Sequence, residues 1–151
     1  MKKLKVYIEN SVIGGYFDEE FKEATKKLFE EFKKGTYKPV ISSHVIDELE
    51  NGAPQNVIDN LNTLDYEEFS INNESEDLAE LYLTENIITR KYLDDALHIE
   101  VATVFAVDVL VSWNFKHIVN LKKIKRFNAV NLNEGYHVLE IRTPKELIYY
   151  D

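Results

Sequence analysis

The sequence lacks several features that would assign it to a familiar class. It has no cysteine, which excludes disulfide bonds, thiolate nucleophiles and cysteine-ligated zinc sites. It has no run that approaches the roughly 18 apolar residues of a membrane span, and its first apolar run ends at Glu9, too early for a signal peptide. We therefore expect no membrane partner. The lack of cysteine fits a cytoplasmic protein.

An excess of basic charge is also missing. The chain has 18 Lys and Arg against 27 Asp and Glu, a net charge of −9. A protein that coats nucleic acid should be basic, so passive phosphate binding is disfavoured. The acidic balance fits carboxylates gathered for metal binding, and it equally fits surface acids that keep the chain soluble. Glycine is scarce, and Gly14 and Gly15 lack the spacing of a phosphate-binding loop, so nucleotide cofactors are not supported.

The 151 residues suit one domain, 1–151, in which short apolar strands alternate with helices. This alternation predicts an α/β fold with a mostly parallel central sheet and helices on both faces. Strands are predicted at 4–8, 39–41, 66–71, 109–112, 129–132 and 138–141. Helices are predicted at 18–34, 54–62, 93–107 and 115–118. Another begins at Ser42 or Ser43 and carries Glu48. Two more begin at capping boxes, one at Asn73–Glu76 that runs to about 85 and one at Thr143–Glu146.

Open α/β sheets bind ligands beyond the carboxyl ends of their strands. Three carboxylates and a carboxamide from four distant segments follow strands or begin helices, so they could meet at that edge. Mg²⁺ prefers such oxygen ligands, and a bound metal can activate water against a phosphodiester. The alternative is that these groups are ordinary strand-end or helix-cap residues. The candidates are Glu9, Glu48, Asp95 and Asn114, with Ser11 and Asp94 beside them.

Five segments carry a resemblance to a known family. VYIENSVIGGYFD at 6–18, SSHVIDELE at 42–50 and DDALHIEVAT at 94–103 resemble the first three motifs of PIN domains. LVSWNFKHIVN at 110–120 is similar to the fourth, and EIRTPKEL at 140–147 resembles the tail of one bacterial and archaeal branch. The third and fourth motifs are the specific ones. The resemblance implies a PIN-like three-layer α/β/α fold and a Mg²⁺- or Mn²⁺-dependent ribonuclease, often the toxin of a VapC-type toxin–antitoxin pair.

Carried over position by position, the resemblance makes Glu9, Glu48, Asp95 and Asn114 the catalytic residues. Glu9 and Asp95 would bind the metal, Glu48 could join them, and Asn114 would hold a metal-bound water. Ser11 and Asp94 would support them, although Ser11 could equally be a helix cap. The implied partners are an RNA substrate, an antitoxin protein and a second copy of the chain in a homodimer.

Two departures from the family pattern open an alternative. Glu9 stands where Asp is usual, so its carboxylate reaches one methylene further. Tightly built sites tolerate only about 0.5 Å of misplacement. Asn114 replaces an acid, which removes a negative charge, although Asn at this place looks normal in the WNFKH branch. A catalytically weakened domain that binds RNA or protein is therefore the competing hypothesis. A third is a structural or oligomer-forming domain in which the four groups stay apart.

Other residues have a functional and a structural interpretation. His98 could join Asp94 and Asp95 in a metal site at helical spacing, but a hydrogen bond on the side of the helix is the favoured role. Trp113 could stack on a base, but packing is favoured beside a buried strand. The basic run of Lys122, Lys123, Lys125 and Arg126 could contact an RNA backbone, but a solvated face is favoured.

Overall fold

A computed structural model describes residues 2–70 and 77–148 of the chain. Its five strands all run parallel in one sheet, in the spatial order β3-β2-β1-β4-β5. The predicted parallel sheet is therefore confirmed. The strands are β1 Leu4–Ile8, β2 Tyr37–Ser42, β3 Glu67–Phe69, β4 Val109–Val111 and β5 Ile141–Arg142.

The order of the strands creates a switch point between β1 and β4. The chain proceeds from β1 outward to β2 and β3, then returns to the other side of β1 for β4 and β5. Ile8 pairs with Val111 at the carboxyl ends of the two central strands. Polar residues that follow Ile8 and Val111 therefore come out side by side, in the place where open parallel sheets bind ligands.

Seven α-helices flank the sheet in the described part of the chain, consistent with the predicted three-layer α/β/α arrangement. Two short 3₁₀ helices, at Arg90–Tyr92 and Pro144–Glu146, complete these elements. The α-helices are α1 Asn10–Gly15, α2 Lys22–Lys34, α3 Ser43–Glu50, α4 Gln55–Leu61, α5 Asp77–Thr84, α6 Leu93–Val104 and α7 Leu121–Asn133.

Local sequence explains the bounds of two helices that frame the sheet. In α2, Thr25, Leu28 and Phe32 recur at helical spacing and are buried. The helix ends at Gly35, whose φ of 84° lies in the left-handed region that glycine adopts without strain. For α3, Ser42 is the N-cap, because its side chain accepts a hydrogen bond from Val45 N.

The helix α6 is the most buried of the helices that carry candidate residues. It presents buried side chains around most of its circumference, among them Ala96, His98 and Ile99. A helix with apolar residues all round packs inside a protein rather than at its surface. This burial fixes the direction in which Asp95 and His98 point.

Several predicted elements are corrected by the structure. The edge strand predicted at 129–132 is wrong, because these residues belong to α7, where Phe127 and Asn131 are buried four residues apart on one face. Residues 115–118 form turns rather than a helix. The strand predicted at 138–141 begins at Ile141, the helix predicted from 18 begins at Lys22, and the helix predicted to 107 ends at Val104.

Two capping predictions have different outcomes. The Asn73–Glu76 pattern lies outside the described residues, which resume at Asp77 in α5. At the second pattern, Pro144 begins a 3₁₀ helix, but the Thr143 side chain makes no capping hydrogen bond. In the parts of the chain that the structure covers, every helix is too short or too polar to cross a bilayer.

Candidate metal-binding pocket

Ser11 joins the ends of the two central strands. Its hydroxyl oxygen accepts a hydrogen bond from Trp113 N at 2.9 Å and lies 3.5 Å from Ser112 Oγ. Ser112 Oγ in turn accepts from Asn114 N at 2.9 Å. The loops that follow β1 and β4 are therefore held together by two serine hydroxyls, which fixes the floor of the pocket at the switch point.

Glu9 folds back over the start of α1. Only 4% of the residue is exposed, and its Oε2 accepts a hydrogen bond from Ser11 N at 3.1 Å. The Ser11 hydroxyl donates to Oε1 of the same carboxylate. Glu9 is thus the N-cap of α1, and Ser11 acts as both a cap partner and a bridge to β4. The side chain accommodates the extra methylene of Glu by folding back in this way.

Asn114 positions the carboxylate of Asp95. Its Nδ2 donates to Asp95 Oδ2 at 3.1 Å, while its Oδ1 accepts from His117 N at 2.9 Å. Burial, together with the negative charge of Glu9, raises the pKa of Asp95 from 3.8 to about 6, against the opposing effects of His98 and the Asn114 amide. The raised pKa marks a carboxylate whose negative charge is poorly compensated.

Glu48 faces two histidines. His98 Nε2 lies 2.7 Å from Glu48 Oε1, and His44 Nε2 lies 3.0 Å from the same oxygen. Burial by itself would raise the pKa of Glu48, but the contacts with His44 and His98 outweigh it and lower the pKa to about 2. Glu48 is therefore an ionised carboxylate at neutral pH.

Asp94 lies apart from its neighbour Asp95. Its side chain is 65% exposed, and Oδ1 lies 3.1 Å from His44 Nε2. Burial opposes protonation of His44, yet the nearby carboxylates of Glu48 and Asp94 raise the pKa of His44 overall. Asp94 therefore supports the histidine side of the pocket rather than the Asp95 carboxylate.

His98 is the centre of a buried hydrogen-bond chain. Its Nδ1 lies 2.7 Å from the Tyr7 hydroxyl, which lies 2.8 Å from Ser42 Oγ. Burial raises the pKa of Tyr7 well above its usual range, so the phenol stays protonated. The role of His98 in hydrogen bonding, favoured from the sequence, is present: its partners are Tyr7 of β1 and Glu48 of α3, and Ser42 at the end of β2 extends the chain through Tyr7.

The candidate residues are arranged as two neighbouring groups. Asp95 is close enough to both Glu9 and Glu48 for their charges to affect its pKa. However, across the described ranges the only three His, Asp or Glu side chains whose ligand atoms lie within 4.8 Å of one another are His44, Glu48 and His98. The three carboxylates predicted from the sequence do not converge that tightly.

Sequence reasoning missed His44. The signal was available, because His44 and Glu48 are spaced i, i+4 in the helix that follows a strand, which places both on one face. By itself the spacing does not indicate a site, because a single histidine close to a helix start is common. The third member, His98, reaches them only through the tertiary fold.

The remaining sequence candidates have structural partners. Trp113 Nε1 donates to Thr25 Oγ1 at 2.9 Å, and the indole stacks on Phe21 with ring centroids 4.5 Å apart. The favoured packing role of Trp113 is thus the one observed. The basic run lies in α7, where Lys123 Nζ is 3.0 Å from His117 Nδ1; burial, followed by the nearby lysine charges, lowers the pKa of His117.

The geometry can support two kinds of chemistry. The Glu9–Asp95 side offers oxygen atoms alone, and the Glu48 side offers two imidazole nitrogens and one carboxylate.

Comparisons with protein-family models and with curated proteins find no match to this chain.

Proposed function

We propose that this chain is a PIN-like, metal-dependent ribonuclease that hydrolyses phosphodiester bonds of RNA. The observation that carries the proposal is the Asp95 carboxylate, which is half-buried beside the charge of Glu9 and has a pKa raised to about 6. Two carboxylates kept close together at low exposure repel each other unless a cation lies between them. Their position at the switch point of the sheet is where such folds bind ligands.

The donor set fits an oxygen-preferring ion. Glu9 and Asp95 would hold Mg²⁺ or Mn²⁺, which in proteins commonly take one or two carboxylates, with water and substrate phosphate as the other ligands. Such an ion, when bound, activates water and stabilises negative charge on a phosphodiester. Glu48 fits this role less well than the sequence suggests, because its Oε1 is occupied by His44 and His98.

The chain's own residues then have distinct tasks. Asn114 orients Asp95 through its amide, and Ser11 holds Glu9 in place. Asn114 Oδ1 has a lone pair left after it accepts from His117 N, so it can also orient a water. None of these side chains acts as a covalent nucleophile, and water is the attacking group.

A second candidate function rests on the same Glu9. Both of its carboxylate oxygens already have partners in Ser11, as expected of a structural helix cap. This observation favours a catalytically weakened domain that binds RNA or a protein. The family resemblance further suggests an antitoxin partner, a homodimer and a cytoplasmic setting, all of which belong to the proposal.

Calorimetric titration with Mn²⁺ and an assay on single-stranded RNA test the proposal together. We expect the wild-type protein to bind Mn²⁺ and to cleave RNA, and Asp95→Asn to lose both while it remains folded. Equal Mn²⁺ affinity in the two proteins would refute the metal site. Mn²⁺ binding without cleavage under any condition would favour the binding module.

A further inference from the structure

We propose that His44, Glu48 and His98 form a separate binding site for a transition-metal ion of the Zn²⁺ type. The three ligand atoms all lie within 4.8 Å of one another. Glu48 Oε1 is 2.7 Å from His98 Nε2 and 3.0 Å from His44 Nε2. This inference does not depend on the proposed nuclease, since the site uses neither Glu9, Asp95 nor Asn114.

Two of the three distances between these atoms are close to those of a zinc site, and the third lies within 4.8 Å. Two ligands that each lie about 2.0–2.1 Å from a tetrahedral ion are about 3.3 Å apart. The two observed separations are shorter by a few tenths of an ångström, so small side-chain movements would admit an ion. Two His and one Glu are also a known ligand set for zinc sites that keep one position open for water.

The helix geometry holds two of the ligands in advance. His44 and Glu48 are one turn apart on α3, so both point to the same side. His98 comes from the buried helix α6 and is only 1% exposed. An ion at this position would therefore join α3 to α6, and the shared face of α3 and the burial of His98 reduce the side-chain ordering that binding requires.

The hydrogen bonds of His98 suit a residue that binds a metal ion. The Tyr7 hydroxyl can accept from His98 Nδ1–H while it donates to Ser42 Oγ. Nε2 then faces Glu48, where it donates to the carboxylate when no ion is bound and would give up that proton to bind one. Metal-ligating histidines usually use their other nitrogen for such a hydrogen bond, which fixes the tautomer. Tyr7 and Ser42 thus supply the orienting contact.

His44 provides an independent observation. Its Nε2 is buried but makes no hydrogen bond of good geometry in the described structure, although it lies within 3.1 Å of Asp94 Oδ1 and 3.0 Å of Glu48 Oε1. A nitrogen that approaches two carboxylates without aligning a hydrogen bond is placed as a metal ligand would be. Asp94, at the exposed side, is positioned to bind the ion directly or through water.

The chemistry of the ligands sets the preferred ion. Imidazole nitrogen suits Zn²⁺, Co²⁺, Ni²⁺ and Cu²⁺, whereas Mg²⁺ demands octahedral oxygen ligands. The site should therefore bind Zn²⁺ and Co²⁺ far more tightly than Mg²⁺. The neighbouring Glu9–Asp95 pair offers oxygen ligands alone, so its preference for Zn²⁺ and Co²⁺ over Mg²⁺ should be much weaker, and nitrogen ligation distinguishes the two sites.

The test is a Co²⁺ titration followed by visible absorption, with Zn²⁺ as competitor. We expect wild-type protein to bind one Co²⁺ with the ligand-field bands of a four- or five-coordinate nitrogen–oxygen site, and Zn²⁺ to displace it. His44→Gln and Glu48→Gln should weaken binding by about tenfold or more. The matched control is His137→Gln, which removes an exposed histidine that is remote from the pocket, and it should bind as wild type does.

Two further measurements keep the result decisive. Asp95→Asn should retain Co²⁺ binding within about twofold even where it loses Mn²⁺, which separates this inference from the proposed nuclease. Nuclear magnetic resonance of the four imidazoles needs no variant: Zn²⁺ should shift the signals of His44 and His98 and leave that of His137 unchanged. The proposal is overturned if Co²⁺ gives no such bands, if His44→Gln binds as tightly as His137→Gln, or if Asp95→Asn loses Co²⁺ binding to the same extent as His44→Gln.

Discussion

His98 Nε2 lies 2.7 Å from Glu48 Oε1, so a histidine of α6 holds a carboxylate of α3 that is 50 residues away in the sequence. His44 approaches the same oxygen from within α3. This shared contact makes stability depend on pH. It stabilises the fold only while Glu48 is ionised, and its strength increases when His44 is protonated.

The first prediction concerns the pH profile of that contact. The pKa of Glu48 is lowered from 4.5 to about 2, so its contribution is present above pH 4.5 and is lost as pH falls towards 2. The pKa of His44 is raised above 6.5, so its contribution is complete below pH 6.5 and is lost as pH rises through the higher value. Both contributions coexist between pH 4.5 and 6.5.

Glu48→Gln should therefore destabilise the metal-free protein most near the middle of that window, by about 1–2 kcal/mol after allowance for solvent screening. The loss should be smaller at about pH 9, where the contribution of His44 protonation has gone. Urea denaturation in the presence of a chelator at both pH values measures the difference. The same loss at both would show that the charge state of His44 has no effect.

The second prediction concerns Asp95. Its pKa is raised from 3.8 to about 6, so wild-type stability falls as pH rises across that interval and the penalty is complete above it. Asp95→Asn removes the charge and should stabilise the metal-free protein at pH 7 by about 1 kcal/mol, discounted because the group is partly solvated. The gain should shrink at pH 4. Thermal denaturation in chelator at the two pH values checks this, and a lower melting temperature for the variant at pH 7 would contradict it.

Part of this arrangement could be predicted from the sequence. Apolar runs and their spacing predicted the parallel sheet, because burial on both faces leaves a strong pattern, and Leu4–Ile8 was placed to the residue. Glu9 and Asn114 were predicted at the carboxyl edge of the sheet because each follows a strand that this pattern identified. The sequence could not give the direction in which Glu48 points, since this depends on His98 and Tyr7, which approach only after α6 packs against the sheet.

The strand prediction within α7 was wrong for a different physical reason. Ala129–Leu132 is short and apolar, and such a run fits a strand or a buried helix equally well. The decisive residue is Asn131, which is polar in type yet fully buried. Its Nδ2 donates to Thr103 Oγ1 at 3.2 Å, and its Oδ1 accepts from the Tyr82 hydroxyl. A buried Asn breaks the apolar period from which the helix would have been recognised.

The third prediction concerns Glu9 as both cap and proposed ligand. Asp is a favoured N-cap residue, so Glu9→Asp should keep the stability of α1 within about 0.5 kcal/mol. On the proposed function it should also increase RNA cleavage, because the PIN domains that the sequence resembles usually have the shorter Asp at this place. Cleavage should be higher with Mn²⁺ than with Mg²⁺ in the wild-type protein, since Mg²⁺ is stricter about its octahedral geometry.

The control for this prediction is Glu9→Ala, which removes both cap and ligand. It should lose about 1 kcal/mol of stability from the cap and all metal-dependent cleavage. Assays on single-stranded RNA with both ions, beside urea denaturation of each variant, separate the two effects. If wild-type protein cleaves well with Mg²⁺ and Glu9→Asp is no faster, then Glu is a competent ligand at this place.

The fourth prediction concerns Gly15, which permits close packing against Trp113. A Cβ at this position would lie 3.0 Å from both Cδ1 and Nε1 of Trp113 and 3.1 Å from Thr25 Oγ1. Gly15→Ala should therefore push the indole away from Thr25 and destabilise the protein by about 1–3 kcal/mol. Gly14→Ala is the matched control, because a Cβ there meets no atom within 4 Å.

The measurement can use fluorescence, since the chain has a single tryptophan. Gly15→Ala should change the emission maximum of Trp113 as its hydrogen bond to Thr25 is disturbed, and Gly14→Ala should not. An unchanged spectrum and stability in Gly15→Ala would show that the indole has room to move.

The hydrogen bond from Trp113 N to Ser11 Oγ spans 102 residues of sequence, and this has a consequence for synthesis on the ribosome. A nascent chain that has released only β1 to β3 has no β4 loop to donate a hydrogen bond to Ser11, and it also lacks Asp95 and Asn114. The pocket at the switch point is therefore completed only after Asn114 has emerged, and an intermediate that ends before Asp95 carries Glu9 without its partner carboxylate.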